Sequence, residues 1–207
     1  MSIIDPSVSI AVFFDGGYLA KVNEGIEDQH LVRINFRKLF KFLRKRIAAV
    51  YQIDYDDCHI VESHYFRGRF RADDADANDL LYSERRFEDT LIENDVIFHY
   101  KHLRSIEGKE NQVIEKGIDV WFALEAYEQA LYRKFDVVVL MTGDADHEML
   151  IKKLKAIKTR VVLLTWDTGA KSGTSRLLRE EACKHFEMSE LIAKDAGVLK
   201  QISDSFT

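Results

Sequence analysis

Proline occurs once in the 207 residues, as Pro6, and cysteine twice, as Cys58 and Cys183. With its one proline at the start, no Gly/Ser-rich stretch and no internal repeat, the chain shows no linker and no domain boundary. Two isolated cysteines supply neither a disulfide framework nor the clustered Cys/His spacing of a structural zinc site, so both are read as reduced thiols. No run approaches the ~18 apolar residues of a membrane span, and the N-terminus has neither a basic region nor a signal-length apolar stretch, which together point to a cytoplasmic protein with no membrane partner. Neither G-x-G-x-x-G nor G-x-x-x-x-G-K-[ST] occurs, so no nucleotide cofactor and no cofactor-binding residue is expected. The formal net charge of -5 excludes nucleic-acid binding through global electrostatics but leaves room for local basic surface. Such surface is offered by Arg67, Arg69 and Arg71 in one short stretch, and by Lys101, Arg104, Lys109 and Lys116 in another. The plain alternative is that these cations solvate loops and helix faces.

What the chain has in quantity is ordinary globular material, 46% hydrophobic and 31% charged. At this length folding buries roughly 70% of the extended-chain surface, enough for one core, so residues 1–207 are read as a single domain. Apolar runs at residues 8–14, 96–100, 136–141 and 161–164, with an alternating segment near 58–66, predict five strands. Between them, Phe36, Leu39, Phe40, Leu43 and Ile47 recur at helical spacing, as do Leu80, Leu81, Phe87, Leu91 and Ile92. So do Ile118, Val120, Ala123, Tyr127, Ala130 and Leu131, then Leu150, Ile151, Leu154 and Ile157, with a further helix expected over 174–184. Strands alternating with helices predict a three-layer α/β fold with a central, mostly parallel sheet of about five strands and right-handed crossovers. Residues 10–14 and 137–141 are apolar on both faces, as strands buried between helical layers must be. The polar segments 67–79 and 102–117 are expected as loops at the C-terminal edge of the sheet.

Two of the apolar runs end in acid. Ile10–Phe14 leads to Asp15, and Val137–Met141 leads through Thr142 and Gly143 to Asp144 and Asp146, while Asp119 opens the helix after Gly117. In an open parallel sheet ligands bind beyond the C-terminal strand ends, so carboxylates far apart in sequence can converge there. Convergent carboxylates without a neighbouring Lys or Arg are suited to a hard cation such as Mg²⁺, one or two binding directly and water completing the shell. Each acid alone has a structural reading: Asp119 as a helix cap or first-turn residue, Asp146 as the cap of a helix starting near His147. Acids at two strand ends and one helix start would need separate structural reasons, and a joint site accounts for them together.

Phe13-Phe14-Asp15-Gly16-Gly17, Lys116-Gly117-Ile118-Asp119-Val120 and Thr142-Gly143-Asp144-Ala145-Asp146 resemble, in order and spacing, the three signature segments of NYN domains. This is the PIN-like nuclease group that includes LabA-type and limkain-type proteins. The likeness runs from about residue 8 to 190, since Ser175–Phe186 also resembles the family's terminal helix and short final strand. It implies a PIN-like, metal-dependent nuclease, an endoribonuclease acting on single-stranded RNA, with Mg²⁺ or Mn²⁺ held by Asp15, Asp119, Asp144 and Asp146 as metal ligands and catalytic acids. It further implies metal-assisted hydrolysis without a protein nucleophile. Thr142 matches a small hydroxyl residue that orients a carboxylate or water, and Lys116, Arg67, Arg69 and His147 are the candidates for substrate contact. Gly17-Tyr18 stands where family members often carry Asn, and His147 and Met149 where an aromatic and a proline commonly follow.

Two other readings stay open. A regulatory RNA- or protein-binding module with a degenerate acidic pocket is favoured by the missing Asn and the net acidity. A haloacid dehalogenase-type phosphatase would need a second acid where Gly17 stands and Asp where Glu148 stands. Of the remaining residues, His59, His64, His99 and His102 lie in or beside strands and are expected to pack or be solvated. Phe66, Phe70 and Tyr18 are candidates to stack on bases, Phe66 also for the core. Trp121 and Phe122 cannot both face inward, so one is expected at the site mouth or in a contact between two copies of the chain.

Overall fold

Alternation of side chains about the apolar strands sets the architecture. In a computed structural model of the chain, which describes residues 7–73, 80–105, 113–169 and 173–205, β1 (Val8–Asp15) sends Ile10, Val12 and Phe14 to one face and Ala11 and Phe13 to the other, all fully buried. Strand β1 is followed by α1 (Gly16–His30), β2 (Val32–Ile34), α2 (Phe36–Tyr51), β3 (Cys58–Arg69), α3 (Leu81–Glu93), β4 (Ile97–His102) and the short pair β5 (Arg104–Ser105) and β6 (Val113–Ile114). The second half runs α4 (Ile118–Arg133), β7 (Val137–Met141), a 3-10 turn (Ala145–His147), α5 (Glu148–Ala156), β8 (Arg160–Thr165), α6 (Arg176–Glu181), β9 (Lys184–Glu187), α7 (Met188–Lys194), α8 (Gly197–Ile202) and β10 (Ser203–Ser205).

The main sheet has six strands in the order β4-β3-β1-β7-β8-β9, and every pairing in it is parallel. One face packs on α1, α2, α7 and α8, through residues such as Leu19, Val22, Leu39, Leu43, Met188 and Ile202. The other packs on α4, α5 and α6, through Phe122, Ala126, Ile151, Leu154 and Leu178. The expected three-layer α/β fold is therefore present. Because β7 is apolar on both faces, its five residues are all buried between these layers. Among the described residues no helix is long and apolar enough to cross a membrane.

The structure departs from the sequence reading in three places. The sheet has a sixth strand beyond the five read from apolar pattern, because the helix expected to reach residue 184 stops at Glu181 and Lys184–Glu187 pairs with β8, as the short final strand implied by the resemblance does. The first crossover contains α1 and β2 ahead of α2; α1 carries its own narrow stripe, Tyr18, Leu19, Val22 and Ile26, embedded among charged residues that mask it in sequence. Strand β3 runs three residues past the expected end, because Arg67 and Arg69 pair in register with Tyr100 and His102 of β4. Those two arginines are strand residues and not loop residues. Parts of the two polar segments, 74–79 and 106–112 with Lys109, lie outside the described residues, as does Pro6.

Candidate active site

The side on which successive strands are added to the sheet switches between β1 and β7, with β3 and β4 built outward on one side and β8 and β9 on the other. Loops leaving neighbouring strands at such a point diverge to opposite faces and open a crevice at the C-terminal strand ends. Phe14 pairs with Met141, so the next residues along, Asp15 and Thr142, stand side by side at that crevice. Asp15 is half-buried and both its carboxylate oxygens are engaged: Oδ1 accepts from the Tyr18 amide at 3.0 Å, capping α1, and Oδ2 accepts from Thr142 Oγ1 at 3.2 Å.

Thr142 is completely buried and connects the rest. Its hydroxyl lies 3.0 Å from His147 Nδ1 and accepts from the Asp144 amide at 3.3 Å. A hydroxyl has one proton, and that proton is directed to Asp15, so His147 Nδ1 carries the hydrogen donated to Thr142. His147 is itself buried, its ring 4.7 Å from that of Phe122, and its Nε2 has no partner among the described residues. Sequence position suggested that His147 reaches substrate; the structure turns it inward, under the Thr142–Asp144 turn, where it supports the acids.

Asp144 caps the 3-10 turn, Oδ1 accepting from the Asp146 amide at 3.0 Å, and its side chain stays exposed, as does that of Asp146. The expected capping role thus belongs to Asp144 and not to Asp146. Asp119 lies in the first turn of α4, behind Gly117 at the N-cap. Its carboxyl is held above the usual range by partial desolvation and by the negative charge of Asp15 and Asp144, with His147 acting in the opposite sense. Acids from three separate elements therefore feel one another, and among the described residues none of Asp15, Asp119, Asp144 and Asp146 forms an ion pair. That donor set, hard oxygens without a protein counter-charge, fits a divalent cation. Among the described residues, however, no group of three or more His, Cys, Asp or Glu side chains is placed closely enough to hold a metal ion as it stands.

Two glycines make this approach possible. A β-carbon on Gly16 would meet Phe66 O and Tyr65 Cζ at 2.6 Å, and one on Gly143 would meet Tyr18 Cε2 at 2.7 Å. Tyr18 is buried, its hydroxyl donating to Trp166 O and accepting from Trp166 N, both at 3.0 Å. It ties α1 to the end of β8 and is not available to stack on a base. Phe66 is likewise core.

Of the proposed substrate contacts, Arg67 lies beside the acids, Nη1 donating to Gly16 O at 3.2 Å. Arg69 turns away to the buried Glu88 at 2.7 Å. Lys116 is exposed just ahead of α4. Glu115 is the residue that the sequence reading passed over: its Oε1 accepts from the Gly68 amide. A β-carbon on Gly17 would lie 3.3 Å from Asp15 Oδ1 and 3.6 Å from Glu115 Oε2, so the two carboxylates flank that glycine. No periodicity marks Glu115; only its place ahead of Lys116-Gly117 hinted at it.

An open parallel sheet with carboxylates at its switch point is the architecture of PIN-like nuclease-type folds. The NYN domain pattern matches residues 9–190, and the chain belongs to the NYN domain family. NYN nucleases act on RNA and are typically dependent on a divalent metal. A crystal structure of a protein of unknown function from Vibrio parahaemolyticus shares the fold, with a TM-score of 0.56 and 18% identity over 89% of this chain and 94% of that one. No curated protein matches the chain.

Proposed function

We propose that this protein is a metal-dependent ribonuclease that cleaves single-stranded RNA, with Asp15, Asp119 and Asp144 holding Mg²⁺ or Mn²⁺ and Asp146 acting through water. The observation that carries this reading is electrostatic: Asp119 is pushed toward protonation by partial desolvation and by the negative charge of both Asp15 and Asp144, and among the described residues none of these acids is held in an ion pair. Like charges brought together at a crevice are unfavourable unless something positive joins them. When bound, a divalent ion supplies Lewis acidity toward the phosphoryl group and a compensating charge for the leaving oxygen.

The chain's own residues do the positioning. The Tyr18 amide and the Thr142 hydroxyl fix both oxygens of Asp15, and the Asp146 amide fixes Oδ1 of Asp144, so these carboxylates present their remaining lone pairs in set directions. His147 holds the Thr142 hydroxyl from below. Arg67 stands at the edge of the crevice as the cation suited to a neighbouring phosphate.

Purified Asp15→Asn and Asp144→Asn variants are expected to lose Mn²⁺-dependent cleavage of a fluorescent single-stranded RNA by at least about a hundredfold while keeping wild-type circular dichroism. Unchanged cleavage in both would reject the mechanism. A binding module with the same acids gains support from the absence, among the described residues, of any group of three or more such side chains placed to hold a metal ion; saturable RNA binding with no turnover in Mn²⁺ would identify it.

A further inference from the structure

Beside the acids, between the ends of β3 and β4 and the start of α3, lies a cavity of about 330 Å³, at the small end of the range for small-molecule sites. Its aromatic wall is Tyr65 with Phe87 edge-on at 5.2 Å and Tyr100 edge-on at 6.2 Å. Two residues belong to both the cavity and the acidic crevice. Arg67 lines the cavity and donates to Gly16 O, while Glu115 lines it and flanks Gly17 together with Asp15.

The polar lining is incomplete in an informative way. Arg69 is fixed by Glu88 and sits with its guanidinium carbon 5.2 Å from the Tyr100 ring centroid, yet its Nε is buried with no partner among the described residues. Glu84 lines the same cavity, and its Oε2 is buried and without a partner among the described residues as well. Leaving a buried donor and a buried acceptor unpaired is unfavourable, and such a pair on two residues that line one aromatic cavity asks for a ligand that supplies both complements.

We propose that this cavity is a nucleobase subsite that takes a guanine of single-stranded RNA, with Glu84 accepting from its Watson–Crick edge and Arg69 donating to its carbonyl face. A planar base suits aromatic walls, and unpaired RNA bases are read by stacking plus hydrogen bonds to their edges. Guanine places two N–H donors side by side for a carboxylate, with O6 and N7 as acceptors for a guanidinium. Uracil flanks its single N–H with carbonyl oxygens, which a carboxylate repels. The subsite rests on the ribonuclease reading for the path of the strand: a phosphate at the carboxylates puts an adjacent base at this wall.

The test is calorimetric titration of the full chain in EDTA with the RNA pentamers UUGUU and UUUUU and with 5′-GMP, repeated for Glu84→Gln after its melting temperature has been matched to wild type. Wild type is expected to bind UUGUU about tenfold more tightly than UUUUU, and Glu84→Gln to reduce the difference to about twofold or less. Equal affinity for the two pentamers in wild type, or a guanine preference untouched by Glu84→Gln, overturns the proposal. Binding of 5′-GMP as tight as that of UUGUU overturns its RNA part in favour of a free guanine nucleotide. Cleavage of both pentamers in Mn²⁺ is scored separately. Guanine-selective binding without cleavage removes the ribonuclease reading and leaves the subsite standing; cleavage without guanine selectivity does the reverse.

Discussion

Thr142 shows how one hydroxyl can hold a site together. It donates to Asp15, accepts from the Asp144 amide and meets His147 Nδ1, all inside the protein. Thr142→Val removes the hydroxyl and strands a buried imidazole N–H, so the expected loss of stability is on the order of 2–3 kcal/mol in urea unfolding. Thr142→Ser keeps the hydroxyl and should recover most of that loss; if both variants unfold alike, packing of the methyl group and not hydrogen bonding holds the turn. At this scale the sequence was informative about residue type. Acids at strand ends and a hydroxyl before Gly143 were legible, because polar groups after a buried apolar run stand out. The inward turn of His147 was not, since a histidine after two exposed aspartates carries no local sign of burial.

At the scale of elements, strands β1, β3 and β4 share a row of rings. Phe13 stacks on His64 at 4.7 Å, Phe66 stacks on His99 at 4.2 Å, and His64 Nδ1 lies 3.0 Å from His99 Nε2. With His64 neutral, its Nε2–H donates to Glu62 Oε2 at 3.2 Å and its bare Nδ1 accepts from His99. Burial lowers both imidazoles below their usual range, against the pull of Glu62 on His64, and His99, facing His64, falls to about 4. A depressed histidine contributes stability that is fully present above the unfolded value and is lost as the pH falls through the folded one. The stability of this pair should therefore decline between pH 6.5 and about 4. Thermal melts across that window should show a steeper fall for wild type than for His99→Gln; parallel curves would exclude the pair as the cause. Neither this network nor the extension of β3 to Arg69 could be read from sequence. Both depend on the register between β3 and β4, which pairs Phe66 with His99 and Arg67 with Tyr100.

For the whole molecule, the proposed site makes stability depend on metal. A ligand that binds only the folded state at a hundred times its dissociation constant adds about 2.7 kcal/mol. For a chain of this size that is a rise in melting temperature of roughly 5–10 °C. Saturating Mn²⁺ should produce such a rise in wild type and almost none in an Asp15→Asn/Asp144→Asn double variant; equal shifts in both would place the ion elsewhere. The sequence by itself determined the α/β class, the strands at β1, β3, β4, β7 and β8, the helical stripes of α2–α5 and the positions of the acids. Those depend on local periodicity and on the abrupt change from apolar to acidic residues. The tertiary structure alone decided that β1 and β7 lie side by side at the reversal of strand order, that Asp119 shares the field of Asp15 and Asp144, and that Glu115 joins an aromatic cavity to the acids. Spatial order of strands is set by how helical layers cover both faces of the sheet, a long-range packing condition that no window of sequence contains.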